Sequence, residues 1–95
     1  MHIDRSVNDY VAAVGDDGQL IDVREPHEVA GGTLPGAVNI PLGELPTRVD
    51  ELDRNRRVVL LCKVGGRSAH AAEYLTSLGF DDVVNLAGGI LDFDG

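Results

Sequence analysis

Cys62 is the only cysteine in the 95 residues, and it stands in the run Cys62-Lys63-Val64-Gly65-Gly66-Arg67-Ser68. A thiol attacks only as the thiolate, and a free cysteine with a pKa of ~8.5 is mostly protonated at neutral pH. The neighbouring residues address that problem. Lys63 and Arg67 bring two cations, and Gly65 and Gly66 permit backbone angles that a residue with a Cβ resists. Successive N–H groups of such a loop can converge on one centre at the start of a helix, where the helix dipole also favours negative charge. Residues 62 to 68 therefore read as an anion cradle with a thiol at its floor, and Ser68 is placed to cap the helix that follows. A lone cysteine after an apolar strand is most simply a small core residue. The glycines, Arg67 and the strand-loop-helix context set this one apart.

The formal net charge is −8. That argues against nucleic acid or an anionic membrane as partner, because both are bound through clustered Lys and Arg. Yet five of the eight basic residues, Arg54, Arg56, Arg57, Lys63 and Arg67, fall between 54 and 67, and no Asp or Glu occurs from 54 to 72. An acidic chain thus has one positive window, and Cys62 lies in it. Arg54, Arg56 and Arg57 are most simply a solvated rim, and on a sharper reading they extend this field toward a donor or an acidic partner. His2, His27 and His70 share no metal-ligand spacing, so no metal is expected. A single cysteine cannot form an internal disulfide, which points to a reducing compartment. With no run of 18 apolar residues and no basic segment leading into an apolar one, the chain is expected to be soluble and cytoplasmic.

The elements that must position Cys62 follow from the apolar pattern. The chain is long enough for one domain, residues 1–95, with an aliphatic core, since it has two Tyr, two Phe and no Trp. Ile3 begins a short apolar start. Ser6 is placed to cap a helix in which Val7, Tyr10, Val11 and Val14 share one face before Gly15. Leu20 to Val23 and Ala37 to Ile40 read as short strands, with one helical turn at Glu28 to Ala30 between them. A short amphipathic helix is expected from Leu42 to Leu52, with Pro46 tolerable only in its first turn. Val58 to Leu61 is the strongest strand, apolar on both faces, as at the centre of a parallel sheet. A helix from about Ser68 to Leu78 and a strand from Asp82 to Leu86 complete the pattern, and Gly88-Gly89 reads as a tight turn. Strands alternating with helices imply right-handed crossovers. The expected fold class is thus α/β, a three-layer sandwich with a mainly parallel central sheet and helices on both faces. Cys62 then lies at the carboxyl end of the central strand, where open α/β sheets bind ligands.

Sulfur carried on Cys62 as a persulfide would be held by the same loop N–H groups, while Lys63 and Arg67 would attract a small sulfur-donating anion such as thiosulfate. At this point the chain resembles the rhodanese family over essentially its whole length. The resemblance rests on Leu20-Ile-Asp-Val-Arg-Glu25, Pro35-Gly-Ala-Val-Asn-Ile-Pro41, Cys62-Lys-Val-Gly-Gly-Arg-Ser68, Leu78-Gly-Phe80 and Leu86-Ala-Gly-Gly-Ile90, in the family's order. It implies a rhodanese-like fold and a sulfurtransferase in which Cys62 accepts sulfane sulfur and no separate cofactor is needed beyond the covalent persulfide. It also implies that residues 63 to 67 form the active-site loop and that Asp22 and Arg24 support it, though these two are more simply an ion pair at a strand end, which would still orient the loop. Two positions depart from the family pattern: Thr33 stands where many members have His, and Phe93 where many have Trp.

Other functions remain in view. One is a relay module that takes sulfur from a protein donor and hands it to a protein acceptor for cofactor or RNA thiolation. A phosphatase of the related fold would need five residues between Cys and Arg to surround the larger phosphate, and here there are four. A non-catalytic interaction domain usually lacks the cysteine, which this chain retains.

Overall fold

The computed structural model describes all 95 residues. Five strands form one sheet: β1 (Ile3–Ser6), β2 (Gln19–Asp22), β3 (Val38–Asn39), β4 (Val58–Leu61) and β5 (Val83–Ala87). Their order is β1-β5-β4-β2-β3, and every neighbouring pair is parallel. The expected α/β class stands, with a sheet that is wholly rather than mainly parallel. All four residues of β4 are buried, because β2 and β5 flank it and both of its faces are covered.

Alternation along the strands sorts the core into two layers. On one face Ile21, Val58, Leu60, Cys62 and Val83 pack with Leu45 of α3 (Leu45–Arg48) and with Ala71, Ala72 and Leu75 of α4 (Gly66–Ser77). On the other, Leu20, Val59, Leu61, Val84 and Leu86 meet Val7, Ala13 and Leu34, with Tyr10, Ile90 and Phe93 alongside. Ala13 and Tyr10 belong to α1 (Tyr10–Val14), and one further helical turn, α2 (Pro26–Val29), follows β2. No helix is long and apolar enough to cross a membrane.

Three local readings change. The start at Ile3 is a full edge strand whose four residues are all exposed. Its partner is β5, eighty residues away, and it carries no apolar alternation of its own. Ser6 does cap, accepting from the Asn8 N–H at 3.2 Å, but the first turn, Val7–Asp9, is a 3-10 helix. Three residues per turn line up Val7, Tyr10 and Ala13 rather than a 3.6-residue face, and Val11 is left 68% exposed. The segment 42–51 is likewise 3-10, then α3 with Pro46 in its first turn, then 3-10 again.

The positive window divides between the two ends of the sheet. Arg54, Arg56 and Arg57 precede β4 and sit at its amino end, where Arg56 pairs with Asp17, Arg57 with Asp82, and Arg54 stacks 4.8 Å over the Phe80 ring. Five residues of strand at ~3.3 Å each put Arg57 about two Debye lengths from Cys62. These three arginines do not extend the field around the thiol as the linear sequence suggested.

Candidate active site

β4 ends at Leu61, and strand alternation turns the next side chain, Cys62, toward α4. The chain then bends through Lys63 and Val64, and Gly65 adopts φ +102° to start α4 at Gly66. Gly65 is required twice over: its φ is left-handed, and an added Cβ would lie 3.2 Å from the Gly88 nitrogen. The Gly65 N–H donates to Cys62 Sγ at 3.0 Å, and Ser68 Oγ lies 3.3 Å from the same sulfur. Burial beneath the loop pushes the thiol up. Hydrogen bonds from the Ser68 hydroxyl and from the N–H groups of Ser68, Gly65 and Val64 more than offset it, so the Cys62 thiol lies below its ordinary value.

The Gly65 N–H stands where the cradle reading places a donor, while other parts of that reading change. Ser68 is not the helix cap. Gly65 holds that position, and Ser68 is the third residue of α4, fully buried, with its hydroxyl among Sγ, the Gly65 carbonyl (3.2 Å) and Asn85 Oδ1 (2.5 Å). Nor is Arg67 a free cation. Its Nη1 and Nη2 donate to Glu28 Oε1 and Oε2 at 2.6 and 2.8 Å, a bidentate pair across the loop mouth. That pair holds the Glu28 carboxyl down at about 2 and raises the Arg67 guanidinium further. Lys63, Val64 and Gly66 are exposed above a Cys62 that has no exposed surface. The site is thus closed. The molecule's surface concavities all lie elsewhere, and none is lined by residues 62–68.

Asp22 and Arg24 reach the loop indirectly. Both are buried, and Arg24 Nε and Nη2 grip the Asp22 carboxylate at 2.8 to 3.1 Å. Arg24 Nη2 also donates to the Gly32 carbonyl at 2.8 Å, and Thr33 Oγ1 donates to Asp22 Oδ2 at 2.7 Å. This network ties down the 24–33 segment, and that segment presents Glu28 to Arg67. Thr33, one of the departures from the family pattern, is thereby a working member of it. Phe93, the other, packs edge-on against Tyr10 at 5.5 Å.

Sequence reasoning overlooked Glu28, Asn85 and the role of Gly88-Gly89. The turn is tight, as expected, but it also braces the loop after β4. Ile90 N–H donates to the Cys62 carbonyl at 2.9 Å and Leu91 N–H to the Lys63 carbonyl at 3.1 Å. A Cβ at Gly89 would fall 2.4 Å from that Lys63 oxygen. A legible signal existed for two of the three. Glu28 lies three residues after Glu25 in a capping-box spacing, and its Oε1 accepts from the Glu25 N–H at 3.0 Å. Asn85 is the one polar side chain inside the apolar run Val83-Val84-Asn85-Leu86.

A doubly wound parallel sheet with a thiol-bearing loop running from its central strand into a helix defines a class of small α/β thiol-dependent proteins. The chain belongs to the rhodanese family: the family model described as Rhodanese-like domain matches residues 6–95. It is 41% identical over 76 residues to a protein of Allochromatium vinosum named Sulfurtransferase, covering 80% of this chain and 71% of that one. It is 37% identical over 71 residues to Thiosulfate sulfurtransferase GlpE of Shewanella oneidensis, covering 75% and 70%. The crystal structure of a rhodanese-like domain protein from Staphylococcus aureus superposes with a TM-score of 0.87 at 29% identity, over 98% of this chain and 94% of that one.

Proposed function

We propose that this protein is a sulfurtransferase that carries sulfane sulfur on Cys62 as a persulfide. The observation that carries the reading is a loop N–H aimed at Sγ at the start of α4, that of Gly65 at 3.0 Å. The Cys62 thiolate attacks the outer sulfur of thiosulfate, the S–S bond breaks, and sulfite leaves with the bonding electron pair. The terminal sulfur of the resulting persulfide is anionic and occupies the centre toward which the loop N–H groups point. A thiophilic acceptor then attacks that sulfur and Cys62 leaves as thiolate, which restores the starting state. No cofactor takes part. Because Sγ is covered, the loop has to open for the donor to reach it.

Four residues between Cys62 and Arg67 suit a ring of N–H groups around one sulfur atom, and this disfavours phosphate. A protein donor or acceptor is favoured by one specific feature. Val64 and Leu91, 62% and 63% exposed, form an apolar rim joined through the Leu91 N–H to Lys63 carbonyl bond. Such a rim is suited to a partner surface that delivers or removes sulfur, with thiosulfate serving as the small-molecule donor. A catalytic thiol that must stay reduced fits the cytoplasm.

The test is intact mass after incubation with thiosulfate, then with cyanide. One added sulfur that cyanide removes as thiocyanate is expected, and Cys62→Ser should neither gain the sulfur nor turn over. Turnover by purified Cys62→Ser would remove Cys62 as the carrier.

A further inference from the structure

Ser68 has one hydroxyl proton and three acceptors around it: Asn85 Oδ1 at 2.5 Å, the Gly65 carbonyl at 3.2 Å and Cys62 Sγ at 3.3 Å. What decides among them lies on the far side of Asn85. Its Nδ2 donates to Asp4 Oδ1 at 3.1 Å, with the Gly65 carbonyl a second, longer acceptor at 3.5 Å. A carboxylate only accepts, so the amide nitrogen must face Asp4 and the amide oxygen must face Ser68. Asp4 and Asn85 are register partners on adjacent strands, β1 and β5, which keeps the two side chains on one face. Asn85 and Ser68 are buried, so neither can exchange its partner for bulk water.

We propose that Asp4 and Asn85 are positioning residues that hold the Ser68 hydroxyl proton away from Cys62 Sγ. In the resting thiol state Ser68 donates to Asn85 and turns a lone pair toward the sulfur, where it can accept the S–H. When the thiol ionises, the hydroxyl must rotate to donate to the thiolate, and the bond to Asn85 is lost. Ionisation of Cys62 therefore costs one buried hydrogen bond, set by a carboxylate that is itself 62% exposed on an edge strand. Asp4 lies outside the family-model match, which begins at residue 6. The inference deepens the sulfurtransferase reading and rests on Cys62 being the reactive group.

Other charges face the two ends of this line. Lys63 and Arg67 flank Cys62, with Glu28 on Arg67 and the Asp22-Arg24 pair behind it. At the other end His2 lies 3.3 Å from both Asp4 Oδ1 and Glu73 Oε1, and Arg5 Nη1 reaches the Asp4 carbonyl. Removing Asp4 also removes a negative charge, which by itself would favour the thiolate. The test must separate that effect from amide orientation.

The measurement is iodoacetamide alkylation rate against pH for the sulfur-free protein, as wild type, Asp4→Ala, Asn85→Leu and the double variant. Without Asp4 only the long 3.5 Å contact to the Gly65 carbonyl opposes an amide flip, and the flipped amide donates to Ser68 Oγ, which frees the hydroxyl for sulfur. Without the amide the hydroxyl is free outright. Each single variant should lower the thiol midpoint by about half to one unit, the scale of one hydrogen bond. The double variant should match Asn85→Leu alone. If Asp4→Ala lowers the midpoint equally in the Asn85→Leu background, the coupling is through-space charge and the proposal is wrong. No lowering in either single variant overturns it as well. Should Asn85→Leu not fold, the same cycle runs with Ser68→Ala, in which Asp4→Ala must have no effect. The readout needs no sulfur transfer, so failure of the persulfide reading would appear separately, as absence of the added sulfur mass.

Discussion

Glu28→Gln isolates the ion pair that closes the loop mouth, because the amide keeps the shape of the carboxylate and loses its charge. The Glu28 carboxyl is held near 2 by the bidentate Arg67 contact, against an ordinary value of 4.5. A fully buried pair with that displacement would contribute about 3 kcal/mol. Arg67 is 37% exposed and Glu28 22% exposed, and solvent screening reduces the contribution to about 1 kcal/mol. For a domain of this size, that loss lowers Tm by roughly 4–8 °C. A depressed carboxyl stabilises the fold fully above its unfolded value, and the contribution fades as pH falls toward the folded value. The gap in Tm between wild type and Glu28→Gln should thus be constant from pH 7 to about 4.5 and close between 4.5 and about 2. The freed guanidinium should at the same time attract the donor anion, lowering KM for thiosulfate by about fivefold if that attraction is also about 1 kcal/mol. Calorimetry across pH and cyanide-coupled kinetics check both arms. A Tm gap that persists at pH 2, or a KM that rises, would refute this account of the pair.

Arg67→Ala should act in the opposite kinetic direction to Glu28→Gln, raising KM for thiosulfate because it strands the Glu28 carboxylate beside the donor; steady-state kinetics decide. Gly89→Ala should depress sulfur loading, measured by intact mass, because its Cβ would press on the Lys63 carbonyl and displace the loop. One glycine inserted between Gly65 and Gly66 should damage transfer, since the N–H groups would no longer meet at one sulfur; full transfer would contradict the cradle. Ser68→Ala should raise the alkylation midpoint of Cys62, since the thiolate loses a donor and the sulfur stays covered.

The strand-loop-helix unit around Cys62 was legible because every local signal agreed there: an apolar run, paired glycines and a helical stripe beginning at once. Arg67 was identified as a site residue, but its partner was not, since Glu28 lies 39 residues upstream and only the fold brings them together. The same limit explains the arginines at 54 to 57. Linear proximity to Cys62 concealed a strand that carries them to the opposite end of the sheet. β1 was unreadable as a strand because an exposed edge needs no apolar alternation, and its pairing is supplied entirely by β5. Ser68 was misassigned by one turn. A serine near a helix start suggests a cap, but Gly65, with its left-handed backbone, had already begun the helix.

The order of strands also bears on the chain while it is being synthesised. β1 has no partner until β5 exists, and the loop around Cys62 has no brace until residues 88 to 91 are in place. Until those residues leave the ribosome, the N–H groups have nothing to hold them in convergence, and Cys62 is an ordinary thiol, mostly protonated at neutral pH. A chain that lacks those residues thus carries a cysteine without the donors that hold its thiolate in the folded protein. The loop around Cys62 takes its shape only once residues 83 to 91 are present, and the long-range pairing of β1 with β5 delays that moment further.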